Sequence, residues 1–282
     1  MRSFLDKKRV NGQRLPRVLG KYRTFLSYSF FKKIDVFHNR VTDYLVFFFS
    51  SIYLKRYIFG HLPDSLKGAM FGRLVYLYSK FRRFNKRNNG GDLNRLISFI
   101  LNIEYVVGEK KVQGDFAEVG VWRGNTAQVL SYYSKIYGRK CYLFDTFEGF
   151  HSNDLKDFDS QFNCKQYSDT SFKMVKEVMG EDYFINCEVV SGYFPESIPS
   201  SLKNRKFSVV SLDADLYAPT KAGLENFFPL MSNGGLFLLH DYSSGYWAGC
   251  KRAIDEFCEK EKQLLVLMPD KSGSAFIRVQ KP

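Results

Sequence analysis

The sequence predicts an α/β protein: a doubly wound, mostly parallel, Rossmann-like sheet with helices on both faces, preceded by a basic, mainly helical N-terminal extension. Three observations carry this. From residue 114 onward short apolar runs alternate with segments of helical period, the pattern of strands joined by crossover helices. The apolar and charged fractions, 45% and 25%, are those of a folded domain. The charge is also partitioned. Residues 1–90 hold 20 Lys+Arg against 4 Asp+Glu, so +16, whereas residues 91–282 hold 22 against 25, so −3.

Two regions follow, 1–90 and 91–282, separated at RRFNKRNNGGDLNR (82–95), where a charge run meets the turn chemistry of Asn-Asn-Gly-Gly. The extension starts MRSFLDKKRVNGQRLPRV, with no apolar leader segment. Its most apolar stretch, YLVFFFSSIYL (44–54), is far shorter than the ~20 residues a spanning helix needs. Arg40 and Lys55-Arg56 flank it. Residues 1–65 are therefore expected either to lie against an anionic membrane surface or to pack on the main domain or a second copy in a homo-oligomer. Nucleic acid is not expected, because no recognisable module accompanies the charge. The five Cys include no C-x-x-C pair, so neither a zinc ribbon nor a disulfide framework is indicated. Reduced thiols fit a cytoplasmic protein, free or peripheral to the inner face of a membrane.

In the second region Asp92 is the expected N-cap of a helix through LNRLISFILNIEYVV. Strands are expected at 114–121, 140–145, 187–192, 207–215, 234–241, 264–268 and 274–279, and helices at 125–137, 170–180, 219–231 and 249–262. The stretch 146–169 is long for a strand-to-helix loop and mixes Phe, Asp and Asn, which suits a lid over the crevice.

Ligands in such sheets bind outside the carboxyl ends of the strands. The first strand ends in FAEVGVWRGN, where Gly120 and Gly124 flank a tight turn into the next helix. Glycine there permits close approach of a ligand, and the helix start favours negative charge. The second strand ends in Asp145, the usual kind of partner for a ribose hydroxyl pair. The plainer reading is that these residues only cap turns. G-x-x-x-G is not the G-x-G-x-x-G dinucleotide fingerprint, which weakens a dehydrogenase reading.

At the other end, SLDADLYAPT places Asp213 and Asp215 where a core strand should stop, and LFLLHDY ends likewise in His240 and Asp241. Residues i and i+2 of a strand share a side, so both acids are expected to face one crevice. Three carboxylates in one pocket repel unless a cation or proton joins them. An oxygen-rich set suits Mg²⁺, and an imidazole shifts preference toward Mn²⁺, Fe²⁺ or Zn²⁺. The plainer readings are an N-cap for Asp215 and a half-buried strand-end histidine for His240. Tyr246 and Trp247 are expected at the mouth, or else as packing where the last helix begins. Arg123 and Lys251 are either substrate-facing or simply solvated.

Taken together, GDFAEVGVWRGNTA, FDTFEGF, LDADLYAPT, GGLFLLHDY and GCKRAIDEF resemble, in order and spacing, the macrocin O-methyltransferase family, over about residues 95–282. The resemblance implies a class I methyltransferase sheet and transfer of a methyl group from S-adenosylmethionine to a sugar or glycan hydroxyl. It implies that Glu118 and Gly120 line the methionine part of the cofactor, with Thr126 near its carboxylate. It places Asp145 at the ribose and Gly192 near the adenine. It also implies a divalent ion, Mg²⁺ or alternatively Mn²⁺, on Asp213 and on the pair before the last Tyr. That pair is commonly Asp-Asp in the family and is His240-Asp241 here. His240 is thus expected either as third ligand beside Asp213 and Asp241 or as a general base, with Asp215 the candidate base if the ion is kept. The contrasting expectation is a catalytically inactive, membrane-associated interaction protein that retains the cofactor fold.

Overall fold

A computed structural model of the chain describes Arg73 and residues 92–281. The extension 1–90, its boundary with the domain, and its membrane and oligomer readings otherwise lie outside the described residues. Helix α1 (Leu93–Ile103) opens at the expected cap: the Asp92 carboxylate accepts from the Arg95 amide at 3.1 Å. The helix then widens into a π-helical turn, Glu104–Glu109, one turn sooner than the sequence pattern suggests. Glu104 is buried there, accepting the Tyr137 hydroxyl and the Arg73 guanidinium.

The remaining elements follow as β1 (Asp115–Val119), α2 (Asn125–Tyr137), β2 (Cys141–Asp145), α3 (Phe172–Met179), α4 (Glu181–Phe184), β3 (Cys187–Ser191), β4 (Phe207–Leu212), α5 (Tyr217–Phe227), β5 (Met231–Leu239), α6 (Ala248–Glu261), β6 (Leu265–Leu267) and β7 (Ala275–Arg278). Among the described residues seven strands form one sheet in the order β3-β2-β1-β4-β5-β7-β6. β1 to β5 run parallel, and β7 pairs antiparallel with both β5 and β6. The strands are apolar on both faces because helices cover both. Phe116, Leu143, Val209 and Leu238 turn toward α1 to α3, whereas Ala117, Phe144, Val210 and Phe237 turn toward α5 and α6. The strand order reverses between β1 and β4, and the crevice there is where such sheets take ligands.

Several expectations are corrected. The expected helix over 170–180 stops at Met179, and Gly180 starts the separate α4. β4 stops at Leu212 and β5 at Leu239, so Asp213, Asp215, His240 and Asp241 follow the strands instead of ending them. Strand alternation therefore does not aim Asp213 and Asp215. The sheet instead reaches one bond further: the Asp213 amide donates to the Val119 carbonyl and the His240 amide to the Leu212 carbonyl, both at 2.9 Å. Helix α5 begins at Tyr217, its cap position is Leu216, and Asp215 is not an N-cap.

Candidate active site

A cavity of about 370 Å³ opens at the carboxyl ends of β1, β2, β4 and β5. Every predicted site residue except Gly124 lines it: Glu118, Gly120, Thr126, Asp145, Gly192, Asp213, Asp215, His240 and Asp241. Gly124 sits just behind as the left-handed N-cap of α2, at φ +80°. Gly120 also lies in the left-handed region, but its nearest neighbour is protein. A Cβ there would stand 2.1 Å from the Asp213 carbonyl oxygen. Glycine is thus required to let two backbones meet, in addition to any ligand. Asp145 ties the same turn together. One carboxylate oxygen accepts the amides of Val121 and Trp122, at 2.8 and 2.7 Å, and the other accepts that of Phe147 at 2.7 Å.

The four groups after β4 and β5 converge. One ligand atom from each of Asp213, Asp215, His240 and Asp241 lies within 4.8 Å of the others. His240 Nδ1 is 2.6 Å from Asp213 Oδ1 and 2.8 Å from Asp241 Oδ2. Neither ring nitrogen is aligned for a hydrogen bond, so the contact is electrostatic rather than a directed N–H bond. Asp213 Oδ2 accepts Arg95 Nη2 at 2.8 Å. Burial opposes charge on Asp213, but His240 and Arg95 outweigh it and hold its pKa well below the usual carboxylate range. Burial, then Asp213 and Asp241, push Asp215 well above that range. Burial and Arg95 oppose protonation of His240, yet Asp213 and Asp241 prevail and its pKa is pushed up to about 9. Trp122, Tyr167, Asp215 and Asp241 all line the cavity with positive φ, between +46° and +62°. Such backbone is costly for these residues and clusters at functional sites.

Glu118 is buried, Ser211 Oγ reaches its Oε1 at 3.3 Å, and its Oε2 has no partner. Burial and Asp213 raise its pKa well above normal. An unpaired buried carboxyl oxygen in a ligand cavity suits an ammonium. The cluster of three carboxylates and one imidazole, drawn together within 4.8 Å, could likewise hold a divalent ion. Asp213, His240 and Asp241 supply N and O donors of the kind such ions take.

Several residues were missed at the sequence level. Arg95 lines the cavity from α1. Its sequence signal was a lone cation within the buried stripe Leu96, Phe99, Ile100 and Ile103. Asp154 and Tyr193 line the far end, joined by a 2.6 Å hydrogen bond from the Tyr193 hydroxyl, with the His151 ring stacked at 4.0 Å. Tyr167 lines the wall between Trp122 and Phe150. Trp247 is not at the mouth. It is buried among Phe150, Phe162 and Tyr246, the plainer of its two expected roles. Arg123 pairs with Asp169, and Lys251 with Asp255 and Tyr242, all outside the cavity.

Residues 92–269 match the family model described as macrocin O-methyltransferase. Among curated proteins the chain is 27% identical over 175 residues to 8-demethyl-8-(2,3-dimethoxy-alpha-L-rhamnosyl)-tetracenomycin-C 4'-O-methyltransferase of Streptomyces olivaceus, covering 58% of this chain and 65% of that protein. It is 27% identical over 161 residues to mycinamicin III 3''-O-methyltransferase of Micromonospora griseorubida, covering 53% and 62%. The chain thus spans slightly less than two thirds of these relatives. The fold is similar to that of the O-methyltransferase NovP, with a TM-score of 0.57, 20% identity, and coverage of 73% of this chain and 99% of that one. It is also similar to CalS11, a calicheamicin methyltransferase, with a TM-score of 0.56, 21% identity, and coverage of 78% and 95%.

Proposed function

We propose that this chain, which belongs to the macrocin O-methyltransferase family, methylates a hydroxyl of a sugar or glycan with S-adenosylmethionine as donor. The observation that carries the proposal is the meeting of the Gly120 turn and the Asp213–Asp215–His240–Asp241 cluster in one cavity. The rhamnosyl group in the name of the Streptomyces relative supports a sugar acceptor. The reading as an inactive interaction protein gains no support from a site whose charged groups are all assembled.

When bound, the donor supplies a methyl group on a sulfonium, and the acceptor oxygen takes it in line as the S–C bond breaks. The chain's own residues then have four tasks. Glu118 receives the donor's ammonium on its free Oε2, and the α2 N-terminus at Thr126 receives its carboxylate. Asp145 holds the turn and faces the ribose, while Gly192 leaves room for the adenine. Asp215 takes the acceptor's proton. Burial and its acid neighbours favour the protonated form of Asp215, so a cation beside it is what ionises it for that task. His240, protonated near neutrality, serves as a cation between Asp213 and Asp241, and it would have to give up that proton to become a metal ligand. A divalent ion held by Asp213, His240 and Asp241 would lower the pKa of the acceptor hydroxyl. The lid, 146–169, closes over the sugar, and the basic extension, +16 over residues 1–90, holds the enzyme near an anionic membrane surface or in an oligomer.

Calorimetric titration of S-adenosylhomocysteine, first with chelator and then with Mg²⁺ or Mn²⁺, tests this. Binding that tightens with the ion, followed by methyl transfer in a screen of glycosides, is expected. No binding under either condition rules the reading out.

A further inference from the structure

Arg95 is the feature of the cavity that the proposed mechanism leaves idle. Its side chain is about nine-tenths buried and lines the cavity. Nη2 is shared, donating to Asp213 Oδ2 at 2.8 Å and to Thr126 Oγ1 at 3.0 Å. The Phe99 ring lies 5.3 Å beneath the guanidinium and backs it. Among the described residues Nε and Nη1 have no hydrogen-bond partner, so donors remain for a ligand. A guanidinium with spare donors, a threonine hydroxyl and the start of a 13-residue helix without a side-chain cap together form a site for a planar anion. Glu118, with its free Oε2, lines the same cavity and interacts electrostatically with Arg95. One acid and one cation, each with an unused face toward the same space, complement the two ends of an amino-acid zwitterion.

We propose that Arg95 clamps the carboxylate of the donor's amino-acid tail and, because the same guanidinium grips Asp213, joins recognition of that tail to the acid cluster. The inference rests on the proposed use of S-adenosylmethionine. It assigns a positioning role: Arg95 touches the tail, not the reacting atoms. Recognition of the donor then helps hold Asp213 where the chemistry needs it. A shortened donor lacking the tail leaves Arg95 wholly committed to Asp213 and Thr126.

The test compares two ligands on the full-length protein: S-adenosylhomocysteine, which has the tail, and 5'-methylthioadenosine, which lacks it. In R95M the affinity for S-adenosylhomocysteine is expected to fall about 30-fold, the scale of a lost charge-assisted bond. Affinity for methylthioadenosine is expected to stay within about 2-fold. R95K keeps the charge but cannot serve two partners in one plane. It is expected to lose about 5-fold on S-adenosylhomocysteine alone, and it keeps the test valid if R95M does not fold. Equal losses on both ligands, or a loss below about 3-fold on S-adenosylhomocysteine in R95M, overturn the clamp while leaving the methyltransferase reading in place. Failure of the wild-type protein to bind S-adenosylhomocysteine overturns both.

Discussion

His240 Nδ1 stands 2.6 Å from Asp213 Oδ1, and that contact sets the sign of the site's pH response. The pKa of His240 rises from 6.5 to about 9 on folding. A raised pKa contributes stability in full below the unfolded value and loses it as pH climbs through the folded one. With a chelator present, Tm is therefore expected to fall by about 5 °C between pH 6.5 and pH 9. In H240Q that slope should flatten, and a slope unchanged in H240Q would show that other groups set it. Asp215 makes the second residue-scale prediction. D215N removes the proposed base while nearly preserving shape, so kcat should drop at least about 100-fold. The affinity for S-adenosylhomocysteine should change by no more than about 2-fold, and a kcat within about 5-fold of wild type would return the base role to another group.

Among the elements, the long loop 146–169 is tied to two helices by one buried carboxylate, beside its other contacts. Asp159 is fully buried, and its Oδ2 accepts the Tyr217 amide at 2.7 Å, the first N–H of α5. Its carboxylate also fills the space beside Gly249 near the start of α6, where a Cβ would stand 2.4 Å from both oxygens. Asp159 thus caps α5 from the loop, the task the sequence suggested for Asp215. D159A is expected to cost about 1–2 kcal/mol in denaturant unfolding. G249A should unseat the same loop, and protease cleavage within 146–169 should quicken in both variants; resistance equal to wild type would mean that Phe150 and Phe162 hold the loop without Asp159. The strands, helices and the Asp92 cap were legible because apolar period and cap chemistry are local. Arg95 and Asp159 were not, since their partners lie 118 and 58 residues away. The stopping of β4 and β5 short of their acids was equally hidden. Apolar run length marks burial, not where the ladder ends.

For the whole molecule, the open question is how a nearly neutral domain works with a strongly basic extension. Arg73 reaches the buried Glu104 in the π-helical turn, which ties that one residue to the domain on the α1 side. No helix among the described residues is long and apolar enough to cross a membrane. The full chain is expected to sediment with vesicles containing phosphatidylserine at low salt, and to be released at about 0.5 M salt, where screening shortens its reach to a few Å. Equal sedimentation with neutral vesicles would point to apolar insertion of 44–54 instead. The contact of Gly120 with the Asp213 carbonyl carries a different kind of consequence. The Gly120 turn and the Asp213 loop are pressed together with no side chain between them, so neither can drift in evolution without the other. On the proposed reading, variation in acceptor choice is expected to fall in 146–169 rather than in these two turns. A laboratory seeking new acceptors should randomise residues 146–169 and leave the ends of β1 and β4 untouched.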